Sequence, residues 1–222
     1  GTLKFLIMFR EDTEIMLKTF MMSFSLAETS MNHRGLLLCD NILNCGVHSL
    51  KNFDIPLVNI NNNVDNCPDQ VNSLISEMNN YDQFVFAIPE YTGHYSAVFK
   101  NLMDWLVVAY NMNSSHGNSY PFSQRPVHVV TFTPTFKNSG GRHFDMTTHL
   151  LQDKMGADVK STTVFNNCWN ELVPTNLSLV QDFCEIVKEC KKKDVTLDSQ
   201  SKHNVENWNK LYKEWDETWT NL

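Results

Sequence analysis

Three turns hold most of the residues with chemical potential. The first lies within "MMSFSLAETSMNHRG" at 21–35, where Ser25, Thr29 and Ser30 supply hydroxyls at the start of a helix. The unsatisfied amides of a helix N-terminus favour an anion. His33 and Arg34 fall in that helix's first turn, where the dipole disfavours a cation by ~0.3–1 kcal/mol unless a negative ligand compensates. The pattern points to a phosphate; in the alternative, Ser30 only caps the helix and Arg34 faces water. The second turn opens "IPEYTGHYSAVFKNLMDW" at 88–105. Pro89 ends a strand, Gly93 frees the backbone, and Tyr91, His94 and Tyr95 gather aromatic surface suited to a planar heteroaromatic ligand. Lys100 and Asp104 stand i, i+4 as a surface ion pair, and Trp105 is expected in the core. The third turn, "TPTFKNSGGRHFD" at 133–145, offers Ser139, Gly140 and Gly141 for close approach of backbone amides to a ligand. Asp145 and His149 are spaced to pair on the helix that follows, but no third partner completes a hydrolytic triad.

These turns are positioned by short apolar runs alternating with amphipathic stretches, the pattern of βα units in a parallel sheet. Lys18–Phe24 reads as the first strand, and Met31–Cys45 as a helix with Leu38, Ile42 and Cys45 on one face and Gly46 at its stop. Val47–Leu50 is a second strand, followed by a polar connector broken by Pro56 and Pro68. From Gln70 a helix buries Val71, Leu74, Ile75 and Met78, with Asp69 favouring its N-terminus. "QFVFAIPEY" is the central strand, apolar on both faces, and Ala97–Tyr110 the helix after it. "PVHVVTFTP" and "DVKSTTVF" are the fourth and fifth strands, separated by a helix over Arg142–Met155 that Gly156 ends. Leu177–Lys191 closes the domain, with Lys191, Lys192 and Lys193 complementing the helix C-terminus. Ligands of open parallel sheets collect at the carboxyl ends of the strands, so the turns after the first, third and fourth strands are expected to converge.

Two flanks frame a domain over residues 17–193. Residues 1–16 contain "TLKFLIMFREDTEI", a strand-like run that half repeats "MLKTFMMSF"; the second copy is taken as the first strand because a hydroxyl-rich turn and a helix follow it. Residues 194–222 place Val205, Trp208, Leu211, Trp215 and Trp219 on one helical face, expected to dock on the chain's own domain.

The composition, 42% hydrophobic and 19% charged over 222 residues, is that of a packed globular protein. A net charge of −7 argues against nucleic acid as a partner. The six cysteines show no metal-binding or disulfide spacing and read as reduced thiols, so no metal is expected. The chain has no run long enough to span a bilayer and no basic-then-apolar leader, which gives the expectation of a cytoplasmic protein without a membrane partner.

The stretches "FSLAETSMN", "PEYTGHYSAVFKNLMDW" and "SGGR" together resemble the NAD(P)H-dependent FMN reductases, the flavodoxin-like group that includes azo, quinone and chromate reductases. That family reads G-S-x-R-x-x-S-x-N, P-E-Y-N followed by L-K-N-x-x-D-W, and a Gly-Gly turn, in the same order. The resemblance covers about residues 18–191; the second motif is the specific one. It implies an α/β three-layer sandwich around a five-stranded parallel sheet of order 2-1-3-4-5. It also implies FMN, with phosphate at Ser25, Ser30 and Asn32, ring against Pro89, Glu90, Tyr91 and Thr92, and far edge near Ser139, Gly140 and Gly141. Tyr91, His94 and Tyr95 would shape the substrate face. The implied activity is transfer of two electrons from NADPH or NADH to a small-molecule acceptor, such as a quinone, azo compound or flavin, in a homodimer or homotetramer. Phe24 and Ala27 stand where the family has Gly and Arg, and the missing arginine removes a contact worth ~1.5–3 kcal/mol. The alternative is an interaction module that has lost the cofactor. A one-electron carrier of flavodoxin type is disfavoured because the T-x-T-G-N-T loop is absent.

Overall fold

The computed structural model describes residues 16–59, 67–112, 119–136 and 140–190, which belong to one unit spanning 1–192. The terminal runs set apart by the sequence, residues 1–15 and 194–222, lie outside the described residues, as do Ser139 and the Lys191–Lys193 run.

In chain order the elements are β1 (Thr19–Ser23), α1 (Met31–Leu43), β2 (Val47–Ser49), α2 (Asp69–Met78) and β3 (Gln83–Ala87). A short hairpin of β4 (Glu90–Tyr91) and β5 (His94–Tyr95) leads into α3 (Ala97–Met112) and β6 (Pro126–Phe132). Then come α4 (Phe144–Thr148), β7 (Asp158–Phe165), α5 (Cys168–Glu171) and α6 (Gln181–Lys188). Five strands form one parallel sheet in the order β2-β1-β3-β6-β7. This is the 2-1-3-4-5 order of a flavodoxin-like fold.

The sheet's burial follows from its sequence. β1 and β3 have neighbours on both sides and are buried at every position; β7, at the edge, is polar through Ser161, Thr162 and Thr163 and mostly half-buried. On one face Phe20, Met22, Phe84 and Phe86 pack under α2 and α3. On the other, Met21, Val85, Val130 and Phe132 meet Leu36 and Cys39 of α1 and Phe183 and Cys184 of α6. Gly35 lets α1 come close: a Cβ there would lie 2.4 Å from the Phe132 ring. All six cysteines are free thiols.

Four local readings are corrected. α1 stops at Leu43, and Asn44 rather than Gly46 takes the left-handed cap (φ 52°). Asn tolerates that conformation, and the Asp40 carboxylate accepts from the amides of Cys45 and Gly46 at 2.9 and 2.8 Å. The helix expected from Arg142 begins at Phe144 and widens into a π-helical turn over His149–Lys154. His149 pairs with Asp153, one turn further on, at 2.8 Å rather than with Asp145. The last helix is split into a 3₁₀ turn at Leu177–Leu179 and α6. Finally, the sequence did not show the β4–β5 hairpin or α5, each only a few residues long.

Candidate functional site

β1, β3 and β6 are adjacent parallel strands, so the turns that follow them leave the same edge of the sheet. Hydrogen bonds tie them together. The Phe24 amide donates to the Ala87 carbonyl at 2.9 Å, and the Ser96 hydroxyl donates to the Phe24 carbonyl at 3.0 Å. Asn32 bridges from α1 to the end of β6: its Nδ2 donates to the Phe132 carbonyl (3.3 Å) and its Oδ1 accepts from the Phe132 amide (3.0 Å). Asn32 is buried, so its amide joins the first turn to the third rather than facing a phosphate.

The first turn is held open by its own side chains. Ser30 caps α1, its Oγ accepting from the His33 amide at 3.3 Å, and Ser25 Oγ accepts from the Ala27 amide at 3.2 Å. Both hydroxyl protons remain available. Among the described residues no acceptor meets the amides of Leu26, Glu28 and Thr29, nor those of Met31 and Asn32 in the first turn of α1. Phe24 does not obstruct this cradle. Its ring is fully buried, edge-to-face with Phe86 and Phe99 at 5.2 and 5.0 Å, on the far side of the chain in the core.

The turn has no committed cation of its own. Arg34 reaches away, its Nη2 donating to the Leu172 carbonyl at 3.0 Å, an arrangement that matches neither the reading of a cation compensated by a phosphate nor the alternative of one facing water. Burial pushes the pKa of His33 down, and the charge of Lys51 adds to that. At the tip, Glu28 accepts from Lys51 Nζ at 2.8 Å, and that lysine holds the exposed carboxyl below its ordinary range. A phosphate therefore fits the first turn through main-chain donors and hydroxyls.

The second and third turns form a different kind of structure. Thr92 and Gly93 occupy the hairpin tip, both with positive φ (51° and 78°), the type I′ pattern that matches strand twist. No acceptor among the described residues meets their amides. Tyr91 beside them is 57% exposed. His94 and Tyr95 stack edge-to-face at 4.9 Å, and Tyr95 packs onward against Phe99.

Glu90 joins this hairpin to the third turn. Its Oε2 accepts from the amides of Gly141 (2.6 Å) and Arg142 (3.1 Å), and its Oε1 from Arg142 Nε (2.6 Å). The Glu90 side chain is only 5% exposed. Burial pushes its pKa up, but the Arg142 guanidinium and the two amides together outweigh that and hold it below the ordinary value. The glycines also act inward. A Cβ on Gly140 would meet Val164 at 2.9 Å, and one on Gly141 would meet Phe144 and Val164 at 2.6 Å. They let the turn pack on β7 and α4, and the Gly141 amide belongs to Glu90 rather than to a ligand's edge. Behind the clamp, His143 is buried with Nδ1 2.9 Å from Thr147 Oγ1. Burial lowers its pKa, nearby Glu90 opposes this and His94 adds to it.

A groove of about 600 Å³ opens beside the first turn, lined by Leu26, Glu28, Lys51, Phe53, Val98 and Asn101 among others, and does not include the residues of the other two turns. Its wall is pinned by the second motif. The Pro56 carbonyl accepts from Asn101 Nδ2 at 2.9 Å and from Trp105 Nε1 at 2.7 Å, and Asn101 Oδ1 accepts from the Val58 amide. Trp105 is buried as expected, and Lys100 and Asp104 form the expected ion pair. The i, i+4 spacing of Asn101 and Trp105 was the available signal for this anchoring. The roles of Lys51 and of the Glu90 clamp had no local signal.

The family model for NADPH-dependent FMN reductase matches residues 25–170. No curated protein matches the sequence. Among solved structures, the chain resembles the flavoenzyme NAD(P)H:(acceptor) oxidoreductase FerB from Paracoccus denitrificans with a TM-score of 0.56, at 18% identity over 77% of this chain and 97% of that one. The Trp repressor binding protein from Bacillus subtilis aligns with a TM-score of 0.52, at 12% identity over 80% of this chain and 100% of that one. An NAD(P)H:quinone oxidoreductase from Methanothermobacter marburgensis gives 0.50, at 15% identity over 78% of this chain and 94% of that one. At these identities the likeness is one of fold.

Proposed function

The chain belongs to the family of NADPH-dependent FMN reductases, and we propose that it is an FMN-dependent oxidoreductase that passes two electrons from NADPH or NADH to a quinone, an azo compound or a free flavin. The observation that carries this reading is the open first turn, where the amides of Leu26, Glu28, Thr29, Met31 and Asn32 lack acceptors among the described residues, on the same sheet edge as the amide-bearing hairpin tip at Thr92 and Gly93.

FMN, when bound, supplies the hydride chemistry, and the protein supplies binding and orientation. The first-turn amides with the hydroxyls of Ser25 and Ser30 would hold the phosphate, aided by the positive end of the α1 dipole. Pro89, Tyr91 and Thr92 would form the surface against the ring, with the Thr92 and Gly93 amides directed to its polar edge. Glu90, by fixing Gly141 and Arg142, positions the hairpin and the third turn as one wall. Tyr91, His94 and Tyr95 would border the acceptor. No side chain need act as a nucleophile. We also propose that the protein works as a homodimer or homotetramer with small-molecule partners only, and that it is cytoplasmic. No described helix is long and apolar enough to cross a membrane, and no described cluster of His, Cys, Asp and Glu is arranged to hold a metal.

The test is spectroscopic. The purified protein, supplied with FMN, should retain a flavin absorbance band through gel filtration, lose it under anaerobic NADPH or NADH, and regain it on addition of a quinone. Colourless protein that takes up no added FMN would support the interaction-module alternative instead.

A further inference from the structure

We propose that Lys51, from the turn after β2, supplies the positive charge that the first turn lacks, exchanging its ion pair with Glu28 for the phosphate of bound FMN. This rests on the FMN reading above and assigns a binding residue from outside the three turns.

A phosphate held only by neutral donors lacks a charge-assisted partner, the stronger kind of hydrogen bond. Ala27 stands where the resemblance places an arginine. Arg34 is turned to the Leu172 carbonyl, on the segment after α5. His33 is held toward its neutral form. Lys51 lies close: its Nζ is 2.8 Å from Glu28 Oε2, two residues before the Ser30 cap. Its charge also reaches His33, on the other side of that cap, and Lys51 lines the same groove as Leu26 and Glu28 of the turn. The stem is fixed by a 3₁₀ turn at Leu50–Asn52 whose Leu50 is 3% exposed, and the Lys51 side chain itself is 29% exposed.

The present partner is easily surrendered. The Glu28 side chain is 86% exposed, and exposed ion pairs contribute little. A phosphate carries up to two charges and several acceptor oxygens, and lysine is a common phosphate ligand that acts as a point charge. Glu28 then has a second effect. Its carboxylate pairs with Lys51, so it holds Lys51 when the turn is empty and competes for it when FMN arrives.

The experiment compares FMN with riboflavin, which has the same ring and no phosphate, by quenching of flavin fluorescence at two salt concentrations. The proteins are the wild type, Lys51→Met, Lys51→Arg and Glu28→Gln. Lys51→Met should weaken FMN about tenfold, leave riboflavin within about twofold and flatten the salt dependence, as loss of one charge-assisted contact requires. Lys51→Arg should stay within about threefold of wild type, and Glu28→Gln should tighten FMN by about two- to fivefold. Wild-type preference for FMN that Lys51→Met leaves intact would overturn the assignment while leaving the FMN reading standing. Equal weakening of both flavins would also overturn it, because the lysine would then be shaping the groove. Wild type that binds neither flavin would overturn both.

Discussion

The two ends of the candidate site are built on opposite principles. At the hairpin and third turn, one carboxylate binds two amides and a guanidinium, and glycines seat the loop against β7. At the first turn, five amides and the hydroxyls of Ser25 and Ser30 stand without acceptors among the described residues, and the Lys51–Glu28 pair beside them has an exposed carboxylate. The Glu90 clamp of the first arrangement is complete without a ligand. The second is completed by one, because helix-end amides left unpaired favour an anion. Rigid support for a ring and open donors for a phosphate are what a ring-and-phosphate cofactor requires.

The largest effect that would sharpen this contrast comes from Phe24, which stands where the family has glycine. If its ring were in the cradle, Phe24→Ala would open the site. Because it is core, packed on Phe86 and Phe99, the substitution should destabilise the protein by ~3–5 kcal/mol without improving FMN affinity, as denaturant unfolding and flavin titration would show. Next comes Glu90→Ala, which leaves the Gly141 and Arg142 amides unpaired and should cost ~1–3 kcal/mol. It should also raise the exchange rate of those two amides in hydrogen-exchange measurements, while the amides of α1 stay as protected as before.

The same clamp has a pH signature. The folded pKa of Glu90 lies below its unfolded value of ~4.3, so its contribution is present above that pH and is lost as pH falls through the lower, folded pKa. Glu90→Gln should therefore flatten the acid limb of the stability curve in that low window. The buried His128, with its pKa lowered to about 4 by burial and by Lys160, acts in a separate range. It is neutral in the fold, and its contribution is present above ~6.5 and lost as pH falls from there to about 4.

At the open end, Ala27→Arg restores a cation to the first turn and should tighten FMN about tenfold, with a change in stability of no more than ~0.5 kcal/mol. A flavin titration with unfolding controls checks both. The smallest effect is at the hairpin tip, where Thr92, a β-branched residue, is held at φ 51°. Asn is far more common in that region, so Thr92→Asn should stabilise by ~0.5–1 kcal/mol even though it removes the 2.7 Å bond from Thr92 Oγ1 to the Tyr91 carbonyl.

Much of the frame was legible. "DVKSTTVF" became β7 without a residue's error, and Val71, Leu74, Ile75 and Met78 are all buried as their spacing required, because periodicity and burial are local consequences of sequence. The convergence of three turns followed from parallel topology. What was not legible was set by partners far along the chain. Glu90 and Gly141 are 51 residues apart, Asn32 and Phe132 are 100 apart, and Glu28 and Lys51 are 23 apart. Side chains that looked ready for a ligand, Asn32 and Glu90, bind protein main chain instead. The glycines of the third turn mark places of close approach in the sequence, and it is Val164 and Phe144 that approach them.

The most direct measurement is an amide-resolved NMR titration with FMN and, separately, with riboflavin. FMN should shift the amides from Leu26 to Asn32 strongly and riboflavin should leave them nearly in place, while both flavins perturb Tyr91, Thr92 and Gly93. If FMN and riboflavin moved the same amides equally, or if residues 26–32 did not respond to FMN at all, the phosphate would not lie in the first turn and the account would be wrong.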